Sequence, residues 1–341
     1  MGIENLKNIT ERLNVKKYMV VCGKSFHYSG FEQDVINLGV PYVIFNGFTV
    51  NPLHKDVDKG VELLKKECCD AILAIGGGSA IDVAKCIKLD GDFSVPLIAI
   101  PTTAGTGSES TRHIVVYKDD KKQSISDERI IPDFAILDAK GLKTLPDYQK
   151  KCALLDALCQ AIESRWCNLA TSDSVYNAET AIKMIMANKD AYINEGDERA
   201  SENILLASNY AGRAINVTAT TSAHAMSYKL SAVYGIPHGY AVAISLPYIW
   251  EEMLKIADDN IRLRFNSIAN ALGTATVEEG IEVIKNILKE FCMNKLPNID
   301  RKIDLEEFVC SVNPERLKNN PVPFTKEQIE MLYKKVLGWD C

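Results

Sequence analysis

The chain holds five histidines, His27, His54, His113, His224 and His238. The last two lie in TTSAHAMSYKLSAVYGIPHGYAVAISLP, embedded in small and apolar residues. Upstream, LLDALCQAIES puts Asp156 and Gln160 four apart, on one face of a helix. One carboxylate and two imidazoles can hold a divalent ion and leave positions open for a substrate oxygen. Such an ion polarises a carbonyl or stabilises an alkoxide as a Lewis acid. Taken singly, His224 reads as a hydrogen-bonded core residue and His238 as a polar residue of the Ile236–Gly239 turn. The three-part set, Asp156 with His224 and His238, favours the metal.

A second chemistry-bearing stretch is DAILAIGGGSAIDVAK. An apolar strand ends at Ile75, and Gly76, Gly77, Gly78 and Ser79 lead into a helix. Glycines let the backbone approach a ligand without a Cβ in the way, and free N–H groups at a helix start suit a pyrophosphate. The loop is not GxGxxG, and a plain strand–helix turn needs fewer glycines than this. Pro101 to Glu109, PTTAGTGSE, follows another apolar strand. Its hydroxyls stand where open α/β sheets place ligands, although such runs are common in plain loops.

The elements that carry these residues change character along the chain. Up to about residue 145, short apolar runs alternate with helical stretches, the pattern of parallel α/β structure. Lys17–Val21, Tyr42–Phe45, Asp70–Ile75 and Val95–Ile100 read as strands. Val57–Lys66 and Ala80–Leu89 read as helices. Ile114–Tyr117, a turn at DDKK and Phe134–Leu137 look extended, and the polar loop between them is expected to be mobile. Beyond Pro146 the pattern is helical, with candidates at Cys152–Trp166, Val175–Met186, Ala200–Ala214, Val242–Ala257 and Val277–Leu288; Asp147 or a neighbour is the expected first cap. The expected division is residues 1–146 and 147–341, with a ligand cleft between the two.

Composition narrows the function classes. Hydrophobic residues make up 47% and charged residues 25% of the 341, an ordinary globular balance. Lys plus Arg is 39 against 45 Asp plus Glu, a formal charge of −6, which offers little to a nucleic acid. No apolar stretch reaches the ~20 residues of a membrane span. The charged N-terminal stretch MGIENLKNITERLNVKK lacks a secretory signal's apolar run. Ten cysteines stand without regular spacing or a CxxC pair and read as reduced thiols in the cytoplasm.

Taken together, these motifs resemble the iron-containing (group III) alcohol dehydrogenases over nearly the whole length. GGGSAIDVAK is similar to that family's GGGSxxDxAK loop, PTTAGTGSE to its second nucleotide loop, and DALCQAIE and HAM…GIPHGYAVA to its two metal-binding segments. The resemblance implies a dehydroquinate-synthase-like fold: an α/β Rossmann-like NAD(P)-binding domain over 1–146, plus an all-α metal- and substrate-binding domain over 147–341. It implies that Gly77, Gly78 and Ser79 contact the cofactor pyrophosphate and that Asp82 lies near the nicotinamide. Thr102, Thr103 and Thr106 would line the cofactor, with Val115 and Lys122 nearby. Asp156, His224 and His238 fall on metal-ligand positions. Gln160 falls on the fourth, where the family usually has histidine.

That departure replaces an imidazole nitrogen by a weaker, harder amide oxygen. Affinity for iron or zinc should fall, yet three strong ligands and water still describe a catalytic site. Tyr228 stands four after His224, where some relatives carry another histidine, so a proton path that uses that histidine is not carried over to this chain. Tyr228 and Tyr240 are proton-donor candidates by position only. IFNGFTVNP matches the family segment whose acidic residue meets the adenosine ribose in NAD-preferring members; here the residue is Asn46. An amide does not repel the extra phosphate of NADP, which points to NADPH, or to dual use with NADH.

The implied activity is interconversion of an aldehyde and a primary alcohol. The site segments look most like the phosphonoacetaldehyde reductase subgroup, whose product is 2-hydroxyethylphosphonate. A phosphonate wants fixed cations, and Arg213, Lys229, Arg165 and Arg112 lie within or beside the motifs, though each can equally be a solvated helix-face charge. A generic short-chain aldehyde stands beside it as substrate. Two further readings are a carbon–oxygen lyase of the dehydroquinate-synthase type and a nucleotide-binding relative that has lost its metal. A homodimer is expected from the family, with a small molecule as partner and neither nucleic acid nor membrane.

Overall fold

Five apolar runs become one parallel sheet because both of its faces are covered, which removes the alternation a half-exposed strand would show. The computed structural model describes residues 2–49, 52–92, 94–118, 121–299 and 303–339. It divides into two compact units, Met1–Lys150 with Ala191–Gly212, and Lys151–Asp190 with Arg213–Cys341.

The first part of the chain runs α1 (Asn5–Leu13), β1 (Tyr18–Cys22), α2 (Phe31–Asn37), β2 (Tyr42–Phe45), α3 (His54–Lys66), β3 (Ala71–Gly76), α4 (Gly78–Gly91), β4 (Leu97–Pro101), β5 (His113–Lys118), β6 (Lys121–Ser126) and β7 (Phe134–Ala135). The parallel sheet has the order β2-β1-β3-β4-β7. Successive side chains of a strand point to opposite faces. Met19, Val21, Ile72 and Ala74 accordingly share one apolar layer with Val57, Leu64, Ile81 and Ile87 of α3 and α4. Tyr18, Val20, Leu73 and Ile75 share the other with Leu6, Ile9, Phe31 and Val35 of α1 and α2.

Two of these helices have no counterpart among the expected elements. In α1 the charges that dominate the sequence face outward, while Leu6, Ile9 and Thr10 are buried. β6 was not anticipated either: KKQSIS has no apolar run, and the segment is held by its antiparallel ladder to β5, from His113 opposite Ser126 to Lys118 opposite Lys121. The turn expected at DDKK falls partly on residues 119 and 120, outside the described residues, and Lys121 and Lys122 already belong to the strand.

From Asp147 the described residues hold helices and connections but no strand. They are α5 (Asp147–Trp166), α6 (Ser172–Asp190), α7 (Glu198–Thr218), α8 (Ser222–Tyr234), α9 (His238–Ile256), α10 (Asp259–Leu272), α11 (Val277–Glu290), α12 (Leu305–Cys310), α13 (Pro314–Lys318) and α14 (Lys326–Leu337). The architecture is thus an α/β part with a parallel sheet followed by a helical part. Trp166, Trp250 and Phe265 meet edge to face in the second unit's core. α8 was missed because it has no amphipathic stripe: Ser222 to Ser227 are all buried, and a helix buried nearly all round shows none. No helix among the described residues is long and apolar enough to cross a membrane.

Candidate metal centre and cofactor loops

On α5, spacings of four and three bring Asp156, Gln160 and Glu163 to one face. All three are buried. α8 contributes His224. It ends at Gly235, whose φ of 64° is the left-handed turn that glycine adopts freely, and Pro237 starts α9, whose first residue is His238. His238 is therefore helical rather than part of a turn. Gly239 makes the close approach possible: a Cβ there would lie 2.0 Å from the Cys152 carbonyl oxygen and 2.9 Å from Asp156 Cβ.

Asp156 Oδ1 lies 3.4 Å from His224 Nε2 and 3.8 Å from His238 Nε2. One ligand atom from each of the three residues falls within 4.8 Å of the others. The Asp156–His224 contact makes no hydrogen bond: Asp156 Oδ1, His224 Nε2 and Gln160 Oε1 are all buried without a hydrogen-bond partner. Orphaned polar atoms in an interior are costly, and three in one place call for a shared partner.

The tautomers follow from the neighbours. His224 Nδ1 rests against Glu163 Oε2. An ionised carboxylate only accepts, so Nδ1 carries the proton and Nε2 of the neutral ring keeps its lone pair. Ser227 Oγ donates its one proton to the His224 carbonyl at 2.8 Å, so it accepts from His238 Nδ1 at 3.3 Å. Both rings therefore turn an Nε2 acceptor toward Asp156. Converging acceptors with no donor between them repel one another unless a cation sits there, and such orienting partners are usual behind metal-bound histidines. The donor set fits a divalent ion.

Glu163 is held in turn by Thr221 N (3.1 Å), Thr221 Oγ1 (2.6 Å) and Ala223 N (2.9 Å). Burial opposes its charge, but His224 and these donors outweigh burial and keep the carboxyl below its ordinary value. For Asp156, burial is likewise overridden by His224, His238 and the Gln160 amide, and its pKa is lowered. Burial opposes protonation of His224, yet Glu163 and Asp156 push its pKa up to about 9; the neutral ring with a free Nε2 is therefore the form that binds a divalent ion, which takes the place of a proton at Nε2. Spacing alone does not single out Glu163 or Ser227, although the Glu of DALCQAIE stands two helical turns beyond Asp156.

In the first unit the two glycine- and threonine-rich loops pack on each other. A Cβ on residue 77 would lie 3.2 Å from Thr103 Cγ2, and one on residue 78 would lie 2.8 Å from Thr106. Thr102 N donates to Gly76 O at 3.0 Å. α4 begins at Gly78 with no side-chain cap, and Ser79 is half-buried in its first turn. Asp82 accepts from Ser108 Oγ at 2.5 Å and from Val115 N at 3.0 Å, tying α4 to the second loop and to β5. Lys85, overlooked in the sequence, is wholly buried and donates to Ser108 Oγ (2.9 Å), Thr111 Oγ1 (3.1 Å) and His113 O (3.1 Å). Burial lowers its pKa to about 8, against the charges of Asp82 and Glu109. Asn46 is exposed just after β2, and Lys122 pairs through its backbone with Tyr117.

Most cations named from sequence are engaged elsewhere: Lys229 pairs with Glu307, Arg165 with Glu179 and Arg112 with Glu128. Arg213 is exposed on α7. The Tyr240 hydroxyl donates to the Lys295 carbonyl, while Tyr228 stacks on His238.

The family model for iron-containing alcohol dehydrogenase matches residues 2–139, and that for the C-terminal part of the Fe-containing alcohol dehydrogenase family matches 152–337. An alcohol dehydrogenase of Thermococcus barophilus is 30% identical over 94% of this chain and 92% of its own. An NADPH-dependent butanol dehydrogenase of Clostridium saccharobutylicum is 30% identical over 100% and 89%. Among solved structures, sulfoacetaldehyde reductase from Bifidobacterium kashiwanohense in complex with NAD+ superposes with a TM-score of 0.90 and 29% identity over 99% of this chain and 95% of its own. The chain belongs to the iron-containing alcohol dehydrogenase family. It is an NAD(P)-dependent enzyme of that type, acting between aldehydes and alcohols with a divalent metal as its second cofactor.

Proposed function

We propose that the protein reduces a small anionic aldehyde, phosphonoacetaldehyde in the first place, to its primary alcohol with NADPH. The observation that carries the chemistry is the set of acceptors, Asp156 Oδ1 with the Nε2 atoms of His224 and His238, turned toward one another with no donor among them. The choice of an anionic aldehyde is supported by the likeness to a sulfoacetaldehyde reductase, whose named substrate also bears a tetrahedral oxyanion one methylene away from the carbonyl carbon.

Asp156, His224 and His238 would hold the ion, with Gln160 as a weaker fourth donor. When bound, the ion supplies Lewis-acid polarisation of a carbonyl and the nicotinamide supplies hydride. Glu163 and Ser227 keep both imidazoles in the tautomer that presents Nε2. His238 is 37% exposed at its side chain, so water reaches this face and supplies the proton for the product oxygen. Gly77, Gly78, Ser79, Thr102, Thr103 and Thr106 would bind the cofactor's phosphates and ribose, with Asp82, Val115 and Lys122 beside them. Exposed Asn46 would tolerate the 2′-phosphate of NADPH. Residues 1–146 as the cofactor-binding part, 147–341 as the metal- and substrate-binding part, a homodimer and a cytoplasmic location belong to the same proposal.

The test is steady-state oxidation of NADPH and NADH by metal-loaded protein with phosphonoacetaldehyde, sulfoacetaldehyde and propanal. The proposal expects NADPH to be used and the anionic aldehydes to show the higher kcat/KM. Comparable turnover of phosphonoacetaldehyde and propanal would leave a generic aldehyde reductase in its place.

A further inference from the structure

Arg316 stands apart from the cations named from sequence. It lies on α13, is half-buried, and makes no ion pair with a carboxylate among the described residues. Its Nη1 donates to Thr220 Oγ1. Its guanidinium carbon lies 5.9 Å from the centre of the Tyr228 ring. That ring is parallel to the His238 imidazole, with centroids 5.6 Å apart and planes within 3°. Arg316, Tyr228 and His238 thus form a short series of contacts from a fixed cation to a metal-ligand position.

The backbone that carries Arg316 is anchored. Asn319 Nδ2 donates to Thr220 O at 3.3 Å, Ser222 Oγ to Asn320 Oδ1 at 2.9 Å, and Asn168 Nδ2 to Asn320 O at 2.6 Å. Asn320 is only 2% exposed. The first two bonds tie the residues after α13 to the start of α8, the helix that carries both His224 and Tyr228, and the third ties them to the connection after α5. A guanidinium has five N–H donors in a rigid fork, and Thr220 takes one. The fork matches two oxygens of a phosphonate or sulfonate.

We propose that Arg316 is the substrate-binding residue for the oxyanion of a short aldehyde whose carbonyl is presented at Asp156, His224 and His238. This rests on the reading of the substrate as an anionic aldehyde. The shared ligand chemistry is a tetrahedral oxyanion one methylene away from the carbonyl carbon, and the phosphonate and sulfonate arms of the test tell the two apart.

The experiment compares wild type, Arg316→Lys and Arg316→Met, each loaded with metal, on phosphonoacetaldehyde, sulfoacetaldehyde and propanal. The readout is the ratio of kcat/KM for an anionic aldehyde to that for propanal. A charge-assisted fork is expected to hold up this ratio, so Arg316→Met should lower it about 30-fold or more, chiefly through KM. Arg316→Lys keeps the charge without the fork and should fall between. The oxyanion whose ratio drops more is the one the site is built for. If the wild type prefers anionic aldehydes and both variants keep that preference, Arg316 is not the binding residue while the substrate reading stands. If the wild type shows no preference, the substrate reading fails and takes Arg316 with it. Should Arg316→Met not fold, the Arg316→Lys ratio alone decides, an unchanged value overturning the assignment.

Discussion

Glu163 grips His224 at two points: one carboxylate oxygen accepts its backbone N–H at 3.4 Å, and the other takes its Nδ1. The same carboxylate accepts the N–H groups of Thr221 and Ala223, where a helix start favours negative charge. One side chain therefore sets both the beginning of α8 and the tautomer of the ligand it carries. Glu163→Gln keeps the shape but removes the charge and offers an amide donor toward Nδ1. It should weaken binding of a divalent ion by about 10–100-fold, measured by competition with a chromogenic chelator. Unchanged affinity would show that His224 needs no such orientation.

Gly239→Ala tests how α9 meets α5. The added methyl would stand 2.0 Å from a backbone oxygen, which cannot move as a flexible side-chain tip can. α9 must shift, and His238 with it, away from Asp156. Loss of metal binding is expected together with a stability loss of about 1–3 kcal/mol, the usual result of overpacking. Retention of both wild-type values would contradict the close packing described.

Gln160→His addresses the fourth donor. Gln160 Oε1 is a buried atom without a hydrogen-bond partner, and an imidazole nitrogen suits zinc or iron better than an amide oxygen. Tighter zinc binding in the variant, read as a lower dissociation constant by chelator competition, is the expected outcome. Equal or weaker binding would place residue 160 outside the ligand set.

Lys85 gives the first unit a pH signature. Burial lowers its pKa from 10.5 to about 8. Below about 8 both folded and unfolded chains hold the proton, and the cost of burying the charge is fully present. Between about 8 and 10.5 the unfolded chain still holds a proton that the folded chain has released, so stability rises with pH across that window. Wild type should gain in unfolding midpoint relative to Lys85→Met between pH 8 and 10. A difference that stays constant with pH would contradict the assignment.

Much of this was legible in the residues. The runs YMVV, YVIF, AILAI and LIAI are apolar without interruption because helices cover both faces of the sheet, and each is a strand. Asp156, His224 and His238 stood out because ionisable groups are rare in such apolar surroundings. What escaped was set by tertiary packing. α8 shows no stripe because its first half, Ser222 to Ser227, is buried on every side. Glu163, Ser227 and Lys85 look like ordinary polar residues until the helix start, the neighbouring ring or the loop that each one holds is in view. Arg316 lies in PERLK, where no spacing singles it out, and it meets Tyr228 only once the bonds of Arg316, Asn319 and Asn320 hold this segment at the start of α8.

An anomalous difference map, from crystals grown with zinc and measured at the zinc edge, tests the centre directly. One peak is expected at a bonding distance of about 2.0–2.2 Å from Asp156, His224 and His238 together. A map with no peak among these three side chains, or with the zinc held by other residues, would contradict the account.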